Sequence, residues 1–175
     1  MLNKLFAKYF FPEEMVTSIY RINYNRLWRR GIRGLIFDID NTLATFDVPH
    51  PTPKVIIHLD SLAKRGFAIC LLSNNSKERV VNFCGNMGYP HIWKAGKPKS
   101  RGIKQAMRHM RLDKSQVALI GDQIFTDCLC GNLFGVYTIL TKPIAKRDEW
   151  TVLLKRWPEK PVLRAYRRLH GRNQR

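Results

Sequence analysis

No apolar run in the chain approaches the roughly 20 residues needed to span a bilayer, which excludes a transmembrane helix. The first residues, MLNKLFAKYFFPEE, lack both the uninterrupted apolar core and the small-residue cleavage site of a signal peptide. Cysteine is sparse. Cys70, Cys84, Cys128 and Cys130 do not suggest a disulfide framework in 175 residues and fit a reducing cytoplasm. Cys128 and Cys130 form only a C-x-C; on a helix their side chains would point about 200° apart and could not share a metal without distortion. Buried, inert thiols are the simpler reading. The five histidines, at positions 50, 58, 91, 109 and 170, match no catalytic or metal-ligating motif. Repeats and low-complexity segments are also missing, and a hydrophobic content of 45% argues for a globular chain rather than a disordered one.

Acids are scarce as well: 13 Asp and Glu against 31 Lys and Arg, a formal net charge of +18. The excess is uneven. Residues 1–33 carry seven basic and two acidic residues, and residues 142–175 carry eleven and three. A field of this kind attracts phosphate-rich partners: nucleic acid, anionic lipid or a phosphorylated metabolite. A basic surface that is only solvated is the plain alternative.

What is present has the length of one domain, read as an N-terminal helical segment (1–33), a core (34–141) and a basic, helical C-terminal extension (142–175). In LNKLFAKYFF, Leu2, Leu5, Phe6, Tyr9 and Phe10 fall at i, i+3, i+4, i+7 and i+8, one apolar face of a short helix. That face suits a membrane interface or ordinary core equally well. Pro12 can open a second helix, with Glu13 and Glu14 near its positive end. The core alternates: strands are expected over Gly34–Asp40, Phe67–Ser73, His91–Ala95, Gln116–Gly121 and Val136–Leu140. Helices are expected over Pro53–Arg65, Lys77–Met87, Ser100–Arg111 and Phe125–Phe134. Almost continuous apolar strands alternating with helices indicate an α/β fold, a parallel sheet with helices on both faces. Beyond Lys142, Pro158 and Pro161 should interrupt any helix.

Polar groups follow three of these strands. Asp38 and Asp40 follow the first, Ser73, Asn74 and Asn75 the second, and Gly121 and Asp122 a later one, with Asp127 on the turn beyond. Ligands of open α/β sheets bind outside the carboxyl ends of the strands, so the fold gathers these groups at one edge. Asp38, Asp40, Asp122 and Asp127 together would repel one another without a cation. An all-oxygen set, with no His or Cys, points to Mg²⁺ rather than Zn²⁺. Lys97, in AGKPKS, is the candidate balancing charge. Such a site suits phosphoryl transfer, with one carboxylate as nucleophile and the cation and lysine neutralising the phosphoryl oxygens.

FDIDNTL resembles motif I of the haloacid dehalogenase (HAD) superfamily, LLSNN its motif II, the Lys97–Pro98 pair its motif III and GDQIFTD its motif IV, in the family's order across about residues 34–141. PEEMVTSIYRI leading into GIRGLIFDIDNTLA is similar to the YqeG-type subfamily IIIA phosphatases, relatives of mitochondrial phosphatidylglycerophosphate phosphatases. The resemblance implies a Rossmann-like HAD fold and a Mg²⁺-dependent phosphatase. Asp38 would be the nucleophile and Asp40 the general acid and base, with Thr42 helping to set the turn. Ser73, Asn74 and Lys97 would bind phosphate, with Lys99 a nearby rival for the lysine role. The metal would be held by Asp38, the Asp40 carbonyl, Asp122 and Asp127. The short intervals between motifs leave no room for a cap domain, and an open site suits a substrate attached to something large. Phosphatidylglycerophosphate at a membrane surface is the leading expectation, for a cytoplasmic or peripheral membrane protein. A phosphoprotein, nucleotide or sugar phosphate is the second. The third is nucleic-acid or ribosome binding through Arg29, Arg30 and Arg33 and through Arg164, Tyr166, Arg167 and Arg168. Trp28, Trp93, Trp150 and Trp157 are interface anchors or packing residues on this reading.

Overall fold

The computed structural model describes residues 2–85, 87–145 and 159–170. Glu14–Val16 (β1), Gly34–Asp38 (β2), Ala68–Leu72 (β3), His91–Ile92 (β4), Val117–Gly121 (β5) and Tyr137–Thr141 (β6) form a six-stranded sheet. Its order is β1-β6-β5-β2-β3-β4, and every pairing is parallel. The helices are Leu2–Phe10 (α1), Tyr24–Arg29 (α2), Pro53–Lys64 (α3), Lys77–Cys84 (α4), Arg101–Met110 (α5), Leu129–Phe134 (α6) and Glu159–His170 (α7). The expected α/β architecture is present.

Strand pleating explains why the central strands are apolar without alternation. Leu35, Phe37, Ile69, Leu71, Ala118 and Ile120 face one core, with Leu27 of α2, Val55, Leu59 and Leu62 of α3, and Val80 and Phe83 of α4. Ile36, Cys70, Leu72, Val117 and Leu119 face the other, with Ile103 and Ala106 of α5 and Cys130 of α6. Each strand is therefore covered twice. All four cysteines are buried and free, and burial pushes the thiols of Cys70, Cys84 and Cys130 up to about 12.

Three local expectations are corrected. No helix begins at Pro12. Glu14–Val16 instead pairs with Ile139–Thr141 as the edge strand. The Glu13 carboxylate accepts the Thr138 backbone N–H at 2.7 Å and the Thr138 hydroxyl, and Glu14 pairs with Arg26 at 2.6 Å. Both acids fasten the sheet edge rather than a helix terminus. Second, the helix expected from Phe125 opens as a π-helical turn, Ile124–Cys128, before α6. Third, Pro161 does not interrupt α7, because it lies in the first turn, where its missing N–H has no intrahelical partner to lose.

The end of α1 and the residue after it pack against the π-helical turn and α7. Phe10 of α1 packs against Phe125 at 5.3 Å between ring centroids, and Phe11 against Tyr166 of α7 at 5.3 Å. Leu140 and Val162 complete this cluster. Part of the apolar face of α1 is therefore core, while Phe6 stays 40% exposed. Tyr166, expected as a nucleic-acid contact, is buried. Arg33 lies 3.7 Å from the Trp28 ring centroid and donates to two backbone carbonyls. Trp150 and Trp157 lie outside the described residues.

Candidate active site

Register brings the motifs together. Asp38, the last residue of β2, is level with Leu72 of β3, so Ser73 emerges beside it. On the other side Phe37 is level with Ile120 of β5, which places Gly121 and Asp122 at the same height. Strand order reverses here: β3 and β4 continue on one side of β2, and β5 and β6 return on the other. This is the switch point at which open α/β sheets bind ligands.

Asp38, Asp122 and Asp127 are all buried, and their nearest carboxylate oxygens lie within 4.8 Å of one another. Lys97 reaches into this cluster. Its Nζ donates to Asp38 Oδ1 and, at 2.6 Å, to Asp127 Oδ1. Burial pushes the Asp38 carboxyl well above the ordinary range; Lys97 opposes that, while Asp127 and Asp122 add to it. Burial alone would lower the Lys97 pKa, but Asp127 and Asp38 outweigh it and hold the amine above its ordinary value. Among the described residues, Lys97 is bonded to both Asp38 and Asp127. Three carboxylates this close together offer the oxygen ligands that a hard divalent cation takes.

Local structure fixes each group. Gly121 leaves room for the Asp127 carboxylate, which a Cβ there would overlap. Asp127 Oδ2 also accepts the Gln123 N–H at 3.0 Å. Thr42, buried in the turn after β2, donates to Asp122 Oδ1 at 3.4 Å. Asn41 holds that turn at φ 65°, a conformation Asn tolerates better than most residues. Lys97, rather than the exposed Lys99, enters the cluster. Asn74 anchors it: the Asn74 amide donates to the Lys97 carbonyl at 3.0 Å and accepts the Lys97 N–H at 2.8 Å.

Asp40 is the one expected site residue whose carboxylate stands apart from the carboxylate cluster. The strand ends at Asp38 rather than Asp40, and the following turn carries Asp40 towards α4. There its Oδ2 accepts from the Ser73 hydroxyl at 3.1 Å and from Asn75 Nδ2 at 3.4 Å. Its Oδ1 accepts from Arg79 Nε at 3.2 Å and Nη2 at 3.0 Å. Arg79 is absent from the four motifs. The signal for it was local: Ser76 caps α4 by accepting the Arg79 N–H at 3.3 Å, which puts Arg79 in the first helical turn beside the strand ends.

A HAD-hydrolase-like family model matches residues 94–166. The probable phosphatase YqeG of Bacillus subtilis (strain 168) is 37% identical over 164 residues, covering 94% of this chain and 95% of that protein. The phosphatidylglycerophosphate phosphatase 1 of Arabidopsis thaliana chloroplasts and mitochondria is 26% identical over 85% of this chain, which spans 48% of that longer protein. Among solved structures, the cobalt-bound deoxy-D-mannose-octulosonate 8-phosphate phosphatase YrbI of Haemophilus influenzae shares the fold. The TM-score is 0.52 at 14% identity, with 78% of this chain and 90% of that one covered. Motif order, sheet topology and identity along nearly the whole length agree: this chain belongs to the HAD superfamily, as a phosphatase of the YqeG type.

Proposed function

We propose that the protein is a Mg²⁺-dependent phosphomonoesterase that works through an aspartyl-phosphate on Asp38. The observation that carries this reading is the Asp38 carboxylate at a strand end, bonded to Lys97 and grouped with Asp122 and Asp127. Asp38 attacks phosphorus as the bond to the leaving oxygen breaks, and Asp40 gives that oxygen a proton. Asp40 then takes a proton from the water that attacks the phosphoryl group and releases phosphate. Ser73, whose hydroxyl is donated to Asp40 here, turns to a phosphoryl oxygen when substrate enters, together with the Asn74 backbone and Lys97. Mg²⁺ would be held by Asp38, the Asp40 carbonyl, Asp122 and Asp127, directly or through water, and would supply positive charge to the phosphoryl oxygens.

The substrate we infer is phosphatidylglycerophosphate at a membrane surface. Similarity to the Arabidopsis enzyme supports it. So does the short path between motifs: among the described residues, each of the intervals Asp40–Ser73 and Ser73–Lys97 holds one helix and one strand, with no cap over the site. A phosphate-release screen with Mg²⁺ tests the proposal. Phosphatidylglycerophosphate in vesicles should be turned over with a kcat/KM at least about tenfold above nucleotide, sugar and phosphopeptide esters, a ratio worth about 1.4 kcal/mol. A soluble ester preferred by that margin would reassign the substrate while leaving the chemistry.

A further inference from the structure

We propose that Arg79 is the positioning residue for Asp40, and that it determines which Asp40 oxygen handles the proton. The proposal rests on Asp40 acting as general acid and base. Arg79 spends its guanidinium on three acceptors at once. Nε and Nη2 bind Asp40 Oδ1, Nη1 donates to the Val48 carbonyl at 2.6 Å, and Nη2 donates to the Thr45 carbonyl at 3.2 Å. The ion pair is largely withdrawn from solvent, with side-chain exposures of 11% for Arg79 and 19% for Asp40. The guanidinium carbon lies 5.2 Å from the Phe83 ring centroid and 5.7 Å from that of Phe46. Its backbone is fixed by the Ser76 cap at the start of α4. A planar fork held this way restrains both the carboxylate and the Thr45–Val48 segment, which leads from the Asp40 turn to α3; the three donors of a lysine share one nitrogen and cannot spread across acceptors that here take three separate nitrogens.

The two Asp40 oxygens are therefore inequivalent. Oδ1 is tied to the cation, while among the described residues Oδ2 meets the Ser73 hydroxyl and the Asn75 amide. Ser73 is the donor a phosphoryl oxygen takes over, so substrate entry frees Oδ2 and leaves Oδ1 anchored. Oδ2 then carries the proton: it gives it to the leaving alkoxide as the P–O bond breaks, and takes one back from the attacking water. In a site with no cap among the described residues, the arginine and the segment it ties hold the leaving-group side in place.

A poor leaving group needs that proton and a good one does not, so the test compares kcat/KM for an alkyl phosphate (glycerol 3-phosphate) with that for p-nitrophenyl phosphate. Arg79→Gln should lose about 100-fold or more on the alkyl ester, within the usual range for general acid catalysis, and under about tenfold on the aryl ester. Arg79→Lys should recover only part of the alkyl activity. Adding Arg79→Gln to Asp40→Asn should cause little further loss on the alkyl ester, because the two residues act as a unit. Equal losses on both esters in a folded Arg79→Gln protein would overturn the proposal and leave the arginine a structural tie. Asp40→Asn in parallel locates the failure: a selective alkyl loss there keeps Asp40 as the acid and rejects only Arg79, whereas equal losses there reject the acid assignment as well.

Discussion

Gly121 shows how much one missing methyl group contributes. It is the last residue of β5, and the space a Cβ would occupy is filled by the Asp127 carboxylate. Gly121→Ala should expel Asp127 from the cluster and break its contact with Lys97. Overpacking of this kind costs about 1–3 kcal/mol, so the melting temperature should fall. The larger effect should be on the site. The Mg²⁺ concentration for half-maximal phosphate release should rise at least about tenfold, measured by titrating the metal against a fixed substrate. An unchanged metal requirement would remove Asp127 from the ligand set.

At the scale of elements, α1 gives the clearest separation between packing and exposure. Phe10 packs against Phe125 and joins the cluster of Leu140 and Val162, whereas Phe6 is substantially exposed. Phe10→Ala should destabilise the fold by roughly 2–4 kcal/mol, somewhat below a full core truncation. Phe6→Ser removes a ring 4.8 Å from that of Phe10 but 40% exposed; it should lower the urea midpoint less than Phe10→Ala does, and should weaken co-sedimentation with phosphatidylglycerol vesicles. The α2–α3 contact gives a pH signature. His58 on α3 meets Tyr24 of α2 through its Nε2, 3.2 Å from the phenol oxygen, and burial lowers its pKa, with Arg65 and Lys54 pushing the same way. The unfolded chain therefore takes up a proton first as pH falls below about 6.5, and stability falls between that pH and the lower folded value. His58→Gln should flatten the drop in urea midpoint between pH 7 and pH 5.5.

The order of elements in the core was readable in advance because each central strand is a short apolar run between turn residues, and each motif follows one. Less readable was Glu14–Val16, a three-residue strand whose membership of the sheet depends on Tyr137–Thr141, more than 120 residues away. Local signals around Pro12 and two acids favoured a helix, and long-range pairing overrode them. Asp38 and Asp122 were legible as strand ends, Asp127 as the turn beyond β5 and Lys97 as the balancing charge beside them. The divergence of Asp40 from Asp38 was not, because it arises in a turn, and Arg79 escaped notice because its role is set by side-chain reach rather than by a motif.

For the molecule as a whole, charge and metal pull in opposite directions. The chain is strongly basic, yet its centre holds three buried carboxylates, of which Asp38 and Asp127 are bonded to Lys97. Among the described residues no helix is long and apolar enough to cross a membrane. Binding a divalent cation should relieve the central repulsion. At 100 times its Kd, Mg²⁺ should raise stability by about 2.7 kcal/mol, seen as a higher melting temperature than in EDTA. Phosphate release should stop in EDTA and return with Mg²⁺. Ca²⁺ should stabilise the fold but support little turnover, since its looser shell misplaces nucleophile and phosphorus.

The central claim is that Asp38 becomes phosphorylated, and that can be read directly. The protein is mixed with Mg²⁺ and a phosphate ester, quenched in acid within a turnover and reduced with borohydride, which converts an aspartyl-phosphate to homoserine; peptide mass spectrometry then locates the product. Homoserine should be found at position 38 in the wild-type protein and be missing from Asp38→Asn, which should also release no phosphate. Homoserine at another aspartate, or an Asp38→Asn protein within tenfold of wild-type activity, would contradict the account.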